Sequence, residues 1–276
     1  MATIQSLLNS VELPDSPTPR LDAELLLAQA LGKSRSYLHT WPEHEPAAAQ
    51  LAGYQAALAR RRAGEPVAYI LGRQGFWSLE LDVARHTLIP RPDTELLVET
   101  ALALLPATPL QGLDLGTGTG AIALALACER PAWQMTGVDR VAAAVALAQG
   151  NGTRLQLANA RFVESCWFSA LAGQRFQLIV SNPPYIAAAD PHLSQGDVRF
   201  EPSSALVAGV DGLDDIRLII EQAPAHLLGG GWLLLEHGFE QAEAVRELLS
   251  RRGFTAVDSR RDLGGHQRIS VGQWPL

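Results

Sequence analysis

Hydrophobic and polar positions change their spacing along the chain near residue 75. Before that point, apolar residues recur at the three-to-four-residue spacing of amphipathic helices. One helix is predicted from Pro19 to Gly32, because proline favours the first turn of a helix and glycine its end. A second helix is predicted over residues 46–63. The pattern therefore predicts a small helical domain in the first part of the chain.

Past residue 75 the spacing shortens. Residues 75–83 alternate loosely between apolar and polar, which is typical of a short hairpin. Beyond Leu88, strands alternate with helices. The predicted strands are 110–115, 133–139, 176–180, 231–236, 254–257 and 268–271. The predicted helices are 120–128, 141–148, 213–226 and 241–251. This alternation indicates an α/β fold with a parallel sheet covered on both faces.

We therefore divide the chain into three parts. Residues 1–74 are predicted to form a helical domain, residues 75–87 a β-hairpin linker and residues 88–276 the α/β domain. Three consecutive arginines, Arg60 to Arg62, fall in the last turn of the second helix, where cations favour the helix dipole. Contact with a macromolecular partner is the alternative role for this cluster.

Composition excludes several classes of protein. Hydrophobic residues make up 47% and charged residues 18%, enough apolar material for a core. The net charge of −7 disfavours a bulk nucleic-acid binder. The longest apolar runs, 121–128 and 141–148, have eight residues, whereas a spanning helix needs about 20. The start of the chain lacks a signal-peptide pattern, and its two cysteines are far apart. We expect a soluble, cytoplasmic protein without disulfides or a metal site.

The first candidate ligand-binding motif is the run Leu113–Gly120, LDLGTGTG, at the junction of the first predicted strand of the α/β domain and the helix that follows it. Alternating glycines let the backbone turn tightly beside a ligand, and the following helix offers free N–H groups. The run also fits the fingerprint of nicotinamide and flavin sites. Asp114 favours S-adenosylmethionine (SAM), because its carboxylate can meet the cationic methionine end of SAM and would repel a pyrophosphate.

Asp139 ends the next predicted strand, nineteen residues after Gly120. A carboxylate at this position can accept hydrogen bonds from both hydroxyls of a ribose. SAM and NAD share that ribose, so Asp139 supports an adenosyl ligand without choosing between them. A surface carboxylate that caps the following helix is the alternative.

The tetrapeptide Asn182-Pro183-Pro184-Tyr185 directly follows the apolar strand 176–180 and Ser181. Ligands of such sheets bind beyond the carboxyl ends of the strands. An NH₂ group on a carbonyl or ring is a poor nucleophile, so it must be desolvated and aligned. The Asn182 side-chain oxygen and the Pro183 carbonyl can accept its two hydrogens, and Tyr185 can form a flat wall. The sequence therefore predicts methylation of a planar NH₂ group, with a simple Pro-Pro turn as the alternative.

Several further segments, together with the two motifs, resemble one family over essentially the whole chain. They are Gly64–Tyr69, Phe76–Ser78, Leu88–Glu95, Phe200–Pro202 and Val210–Asp214. The sequence is similar to the bacterial protein-(glutamine-N5) methyltransferases that modify peptide-chain release factors, the PrmC/HemK family. The resemblance implies a Rossmann-like class I SAM-dependent methyltransferase sheet with a small N-terminal helical domain.

The resemblance also implies roles for individual residues. Gly116, Thr117, Gly118, Thr119 and Gly120 would hold the methionine part of SAM, Asp139 the ribose and Trp167 the adenine. Asn182 would contact both cofactor and substrate, with Pro183, Pro184 and Tyr185 completing a glutamine pocket; the catalytic residues would be Asn182, Pro183 and Tyr185. The implied substrate is the glutamine of the Gly-Gly-Gln loop of class 1 release factors, docked by the helical domain. We expect the protein to be a monomer.

Three further residues lie near these motifs. The family often has an acidic residue just before the tryptophan, where this chain has Cys166, and we expect Cys166 to be a small buried filler. His237 is expected to pack at the edge of the cleft rather than act as a base. Glu201 is expected to position the loop of residues 182–185.

Three other functions remain open. An adenine-N6 DNA methyltransferase would use the same tetrapeptide, although base flipping needs many phosphate contacts and this chain is acidic. A non-catalytic SAM-binding module would bind a translation factor without modifying it, although it would not need the geometry of Asn182–Tyr185. A nicotinamide oxidoreductase fits the glycine loop alone.

Overall fold

The structure, a computed structural model, describes residues 2–276. These residues form two compact units. The first unit contains the chain up to Arg73 together with the distant segment Pro191–Phe200. The second unit contains Gln74–Asp190 and Glu201–Leu276. The chain thus leaves the second unit once and returns to it.

The first unit is helical, as its apolar spacing predicts. Its helices are α1 (Ile4–Asn9), α2 (Pro19–Leu31), α3 (Arg35–Thr40), α4 (Ala48–Arg62) and α5 (Val67–Leu71). Helix α2 begins at its proline and ends at Gly32, whose left-handed backbone lets its N–H donate to carbonyls of the last turn. Leu26, Leu27 and Tyr54 are among the buried residues of its core. Both predicted helices are confirmed, with ends within two residues.

The arginine cluster is not a uniformly solvated face. Arg61 is buried, and its guanidinium pairs with Asp22 at 2.7 Å and with Asp197 at 2.8 Å. Arg60 pairs with Glu65 at 2.8 Å. The segment Pro191–Phe200 thus contributes a carboxylate, that of Asp197, to the first unit. Arg61 lies in the last turn of its helix, as predicted, and also forms ion pairs inside the unit.

The second unit is an α/β structure. Its strands are β1 (Arg73–Phe76, which starts one residue before the unit), β2 (Leu79–Asp82), β3 (Leu110–Leu115), β4 (Trp133–Asp139), β5 (Ala160–Glu164), β6 (Phe176–Ser181), β7 (Leu227–Glu236), β8 (Thr255–Arg261) and β9 (Gln267–Gln273). Its helices are α6 (Glu95–Leu104), α7 (Ala121–Glu129), α8 (Ala142–Arg154), α9 (Asp214–His226) and α10 (Ala242–Arg252). All six predicted strands and four predicted helices of this region are present.

Seven strands form one sheet in the order β5-β4-β3-β6-β7-β9-β8, and β1 and β2 form a separate pair. Strands β3 to β7 pair in parallel. The expectation of an all-parallel sheet is wrong at one edge, because β9 runs antiparallel to both β7 and β8. Only residues 262–266 join β8 to β9, and a parallel crossover needs a dozen or more residues.

The sheet is apolar where helices cover it. Leu113, Leu115 and Ile179 are fully buried on the central strands, and Trp133 is fully buried on β4. Strand β5 and helix α6 were missed by the sequence pattern. Within residues 2–276, no helix has both the length and the apolar character needed to cross a bilayer.

Candidate active site

The glycine loop and the Asn-Pro-Pro-Tyr tetrapeptide lie side by side. Strands β3 and β6 are parallel neighbours, and their last residues, Leu115 and Ser181, are register partners. The loop begins at Gly116 and the tetrapeptide at Asn182, each one residue later. Both motifs therefore leave the sheet at the same carboxyl edge, where α/β sheets bind ligands.

A cavity opens at this edge. It has about 950 Å³ of empty space, its open mouth included, which suits a small-molecule ligand. Eight of the eleven residues expected to hold SAM or the substrate line it: Gly116, Thr117, Gly118, Thr119, Asp139, Trp167, Asn182 and Pro184. The other three, Gly120, Pro183 and Tyr185, do not line the cavity, and neither does Asp114.

The glycine loop uses its glycines for two purposes. Gly118 has a left-handed backbone, with φ of 54°, and a Cβ at this position would meet no atom within 4 Å. Its N–H donates to Asp139 Oδ2 at 3.0 Å. Gly120 also has a positive φ, but a Cβ there would lie 3.0–3.1 Å from side-chain carbons of Leu124, Ala148 and Phe162. Gly118 leaves space for a ligand, whereas Gly120 allows close packing of helix α7.

Asp139 both caps a turn and lines the cavity. Its Oδ1 accepts from the Val141 N–H at 2.9 Å, and its Oδ2 accepts from Gly118. A carboxylate oxygen has more than one lone pair, so each oxygen can accept another hydrogen bond. Asp139 thus makes the helix-capping contact that was the alternative role for this residue. Its free lone pairs can also accept hydrogen bonds from the two hydroxyls of a ribose.

Asp114 is a fully buried carboxyl behind the glycine loop. Its Oδ2 accepts from the Thr117 hydroxyl at 2.6 Å and from the Ala123 N–H at 3.2 Å. Its Oδ1 is buried without a hydrogen-bond partner. Burial raises the pKa of Asp114 to about 7, against the lowering effect of its two hydrogen bonds. Asp114 is not among the residues that line the cavity, so its carboxyl can act on a cationic ligand by its charge from behind the loop.

Trp167 and Cys166 follow strand β5 at one side of the cavity. A Cβ on Gly116 would lie 3.5 Å from the Trp167 ring, so the indole packs against the start of the glycine loop. The expectation that Cys166 is a buried filler is wrong, because Cys166 is exposed and lines the cavity. It lies beyond the end of β5, and its backbone N–H donates to Ser169 Oγ at 3.1 Å.

Asn182 is anchored by its amide nitrogen. Its Nδ2 donates to Thr94 Oγ1 at 3.1 Å. Thr94 is buried in the turn before α6 and also lines the cavity. Because Nδ2 is engaged by Thr94, the amide oxygen on the other branch of the group is left to act as an acceptor.

Tyr185 lies behind the cavity wall. Its hydroxyl donates to Glu236 Oε1 at 3.4 Å, and burial raises the pKa of Tyr185. Its carbonyl oxygen accepts from Gln241 Nε2 at 3.0 Å. These two contacts hold the end of the tetrapeptide at strand β7 and at the turn before helix α10.

Glu201 is buried, and its carboxylate accepts from the Ile89 N–H at 3.0 Å and pairs with Arg91. These contacts tie it to the proline-rich segment Leu88–Glu95, which borders the cavity through Leu88, Pro90, Arg91 and Thr94. Glu201 therefore supports the site through this segment. Nothing in the local sequence pattern shows a pairing across 110 positions.

Two histidines bear on the site, His237 behind it and His86 on the cavity wall. His237 is fully buried, and its ring nitrogens bond the Gly238 carbonyl at 2.9 Å and Ser270 Oγ at 2.8 Å. Burial lowers the pKa of His237, in keeping with the expected packing role. His86 is an exposed residue that lines the cavity and that the sequence pattern missed. Across residues 2–276, no group of three or more His, Cys, Asp or Glu side chains could hold a metal ion.

Two family models match the chain. Residues 6–72 match the PrmC N-terminal domain, and residues 92–198 match the methyltransferase small domain. The release factor glutamine methyltransferase of Pseudomonas aeruginosa is 66% identical over 99% of each chain. The enzyme of the same name from Escherichia coli is 52% identical over 95% of each chain.

Solved structures agree on the fold. A methyltransferase from Pyrococcus furiosus has a TM-score of 0.56 and 17% identity, over 82% of this chain and 100% of that one. The T. thermophilus 16S rRNA N2 G1207 methyltransferase, solved with AdoMet and guanosine, has a TM-score of 0.53 and 22% identity, over 73% of this chain and 49% of that one. The second unit has the class I SAM-dependent methyltransferase fold.

Proposed function

Because this chain belongs to the release factor glutamine methyltransferase family, whose members are SAM-dependent enzymes, we propose that it methylates a glutamine in class 1 peptide-chain release factors. The acceptor is the side-chain amide nitrogen, N5, of the glutamine in the Gly-Gly-Gln motif. SAM is the methyl donor and S-adenosylhomocysteine the product.

One observation carries the proposal. Asn182 and the loop Gly116–Thr119 line the same cavity, and Asn182 is held there through its amide nitrogen. Its amide oxygen is therefore offered to a donor in the cavity. A planar NH₂ group is such a donor, whereas a pyrophosphate, which has only acceptor oxygens, is not.

The residues around the cavity suit SAM. The carboxylate of Asp139 would accept the ribose hydroxyls, and the backbone at Gly118 leaves room for the methionine chain. The buried carboxyl of Asp114, behind the glycine loop, would attract the ammonium group by its negative charge when ionised. Trp167 would lie beside the adenine. When bound, SAM supplies an electrophilic methyl group on a sulfonium centre.

The tetrapeptide would prepare the substrate nitrogen. The Asn182 side-chain oxygen and the Pro183 carbonyl would each accept one hydrogen of the glutamine amide, which pushes electron density toward nitrogen as the methyl group arrives. Two consecutive prolines fix φ and remove backbone donors that would compete for the carbonyl. Pro184 borders the cavity, and Tyr185 backs the loop.

The proton balance needs no strong base. The methyl carbon forms a bond to the amide nitrogen as its bond to sulfur breaks. The nitrogen then carries one proton too many, and an N-protonated amide releases a proton readily to water. The site therefore has to align and desolvate the amide rather than deprotonate it.

The rest of the chain would serve recognition. We assign residues 1–74 to docking of the release factor, residues 75–87 to a linker and residues 88–276 to methyl transfer, in a cytoplasmic monomer. No stable nucleic-acid complex is part of this function, in keeping with the net charge of −7.

A transfer assay with three acceptors tests the proposal. The protein is incubated with SAM labelled in its methyl group and with a class 1 release factor, the same factor with the Gly-Gly-Gln glutamine replaced by alanine, or duplex DNA. We expect label on the unaltered factor alone. Label on DNA would instead support an adenine-N6 methyltransferase. Bound SAM with no label on any acceptor would support a non-catalytic binding module.

A further inference from the structure

A single side chain connects the glycine loop to the hairpin of β1 and β2. Asn151 lies on helix α8 and is fully buried. Its Nδ2 donates to the carbonyl oxygen of Thr119 in the glycine loop and to that of Asp82 in β2, each at 3.0 Å. Its Oδ1 accepts from the Asp82 N–H at 2.8 Å. One amide thus holds backbone groups of two separate elements, and none of the steps above uses it.

The hydrogen-bonding capacity of this amide is fully used. Besides the Asp82 N–H, Oδ1 of Asn151 accepts from Arg154 Nη2 at 3.0 Å. A carboxamide has two N–H donors and an oxygen with two lone pairs, and all four are engaged. Exchanging oxygen and nitrogen would turn the oxygen toward two carbonyls and the NH₂ group toward two donors. Only one orientation of the amide therefore satisfies these contacts.

Both elements that Asn151 holds form part of the cofactor cavity. Thr119 lines it, together with Thr117 and Gly118 of the same loop. The hairpin contributes Phe76, the last residue of β1, which is buried and also lines the cavity. Asn151 does not line the cavity, so any effect that it has on a ligand passes through the residues that it holds.

The contact with Thr119 fixes the shape of the glycine loop. The peptide group between Thr119 and Gly120 is planar and trans, so its C=O and N–H point in opposite directions. The C=O accepts from Asn151, and the N–H donates to the Thr117 carbonyl oxygen at 2.8 Å. The second bond closes a turn over residues 117–120, with Gly118 at a central position. Holding this peptide plane therefore holds the turn that places Gly118 at the cavity.

We propose that Asn151 is a positioning residue for SAM, because its amide keeps the turn of residues 117–120 in the conformation that receives the methionine part of SAM. This inference rests on the proposed function for the identity of the cofactor. Without the amide, the Thr119–Gly120 peptide plane can rotate, and fewer molecules hold the loop ready for SAM. The apparent Kd rises in proportion as that fraction falls.

Calorimetric titration with SAM compares Asn151→Ala with a matched variant, Asn159→Ala. Asn159 Nδ2 donates to the carbonyl oxygens of Ala127 and Trp133, each at 3.0 Å. These carbonyls lie beside the end of α7 remote from the glycine loop, and neither residue lines the cavity. Asn151→Ala should raise the Kd for SAM about tenfold or more, whereas Asn159→Ala should keep it within about twofold of the wild type. Equal Kd values for the two variants would overturn the proposal.

Kinetics separates positioning from general structural damage. At saturating SAM, Asn151→Ala should keep kcat within about threefold of the wild type while its KM for SAM rises, because the tetrapeptide is unchanged. Asn151→Asp keeps the acceptor oxygen and removes the donors to Thr119 and Asp82, so it should show the same rise in KM. A fall in kcat with a wild-type KM for SAM would contradict the assigned role.

Hydrogen exchange in the wild-type protein gives a test that needs no folded variant. Coupling between two equilibria is reciprocal, so bound SAM should in turn stabilise the contacts of Asn151. NMR should show that saturating SAM slows exchange of the Asn151 side-chain NH₂ group more than that of Asn159, which reports the gain in global stability. Equal slowing of the two groups, or no slowing of either, would remove the proposed coupling.

These measurements distinguish the inference from the proposed function. A raised Kd for SAM in Asn151→Ala, without methyl transfer to release factors by the wild type, would leave the positioning role standing and remove the assigned substrate. Methyl transfer by the wild type, with an unchanged Kd for SAM in Asn151→Ala, would leave the substrate standing and remove the positioning role.

Discussion

The hydroxyl of Ser181 donates a hydrogen bond of 2.7 Å to the carbonyl oxygen of Leu115. The two residues are register partners at the ends of β6 and β3, and the tetrapeptide and the glycine loop begin one residue beyond them. This bond is fully buried and ties together the two points from which the cofactor loop and the substrate loop leave the sheet.

Ser181→Ala should lower the free energy of unfolding by about 1–2 kcal/mol, because it leaves a buried carbonyl with one partner fewer. Denaturant unfolding followed by circular dichroism measures the change. Ser250→Ala, at an exposed serine in the last turn of α10, is the control and should stay within about 0.5 kcal/mol of the wild type. Equal effects of the two substitutions would contradict the assigned role of Ser181.

Gly118→Ala should weaken SAM binding more than it weakens the fold. The substitution strains a left-handed backbone by about 1–2 kcal/mol and places a methyl group in cavity space that no protein atom occupies. We expect at least about a tenfold rise in the Kd for SAM, equal to 1.4 kcal/mol, by calorimetry. Gly173→Ala has the same strain and the same open surroundings away from the cavity, and its Kd should match that of the wild type.

Gly120→Ala should weaken the fold more than it weakens SAM binding. Its Cβ would press on Leu124, Ala148 and Phe162 at 3.0–3.1 Å, so packing strain adds to backbone strain. The loss in free energy of unfolding should exceed that of Gly118→Ala. A Gly120→Ala protein as stable as Gly118→Ala would mean that helix α7 can move away from the sheet at little cost.

Asp114 should make stability and SAM affinity depend on pH in opposite senses. Its pKa in the folded protein is about 7, above the value of 3.8 for a free side chain. Its contribution to stability is therefore present at pH below 3.8 and is lost as the pH rises to about 7. SAM should bind more tightly over the same rise, because its ammonium group favours the ionised carboxylate.

Asp114→Asn isolates both effects. Without SAM, the difference in free energy of unfolding between variant and wild type should shift in favour of the variant as the pH rises from 4 to 7. The Kd of the variant for SAM should lose the pH dependence near 7 that the wild type shows. Parallel pH curves for the two proteins would rule out Asp114 as the source.

Arg61 should be essential to the first unit although its neighbour is not. Removing its side chain leaves Asp22 and Asp197 without their buried partner, and breaking such a pair costs about 3–5 kcal/mol. Arg61→Ala should lose close to that amount in denaturant unfolding. Arg62→Ala, at the exposed adjacent position, should lose less than about 1 kcal/mol. Similar losses at both positions would favour a surface role for the whole cluster.

The central sheet and the two motifs were predictable because their signals are local. Strands β3 and β4 were predicted with their observed ends, since each is a buried apolar run between turn residues. The glycine loop and residues Asn182–Tyr185 each lie within a few positions of a strand end. Their adjacency follows from the rule that parallel strands place their carboxyl ends at one edge.

Features that depend on distant pairs were not predictable from spacing. Thr94 and Asn182 are 88 positions apart, and Glu201 and Ile89 are 112 positions apart. The antiparallel edge formed by β9 and the contribution of Pro191–Phe200 to the helical unit depend in the same way on tertiary packing. Cys166 was misjudged because a cysteine is usually buried, whereas here it follows the end of β5 and faces the cavity.

Asn182→Ala tests the role of the tetrapeptide most directly. Loss of one oriented acceptor in a desolvated site should reduce turnover about a hundredfold. Circular dichroism should show an unchanged fold, which separates a chemical defect from unfolding. A variant with nearly wild-type turnover would mean that another group receives the substrate amide.

Mass spectrometry of the Gly-Gly-Gln peptide of a class 1 release factor decides the central claim. The factor is incubated with SAM and either the wild-type protein or Asn182→Ala, and the peptide is fragmented to locate any added methyl group. We predict one methyl group on the glutamine side chain with the wild-type protein and almost none with the variant. An unmodified glutamine, or a methyl group on any other residue, would contradict the account.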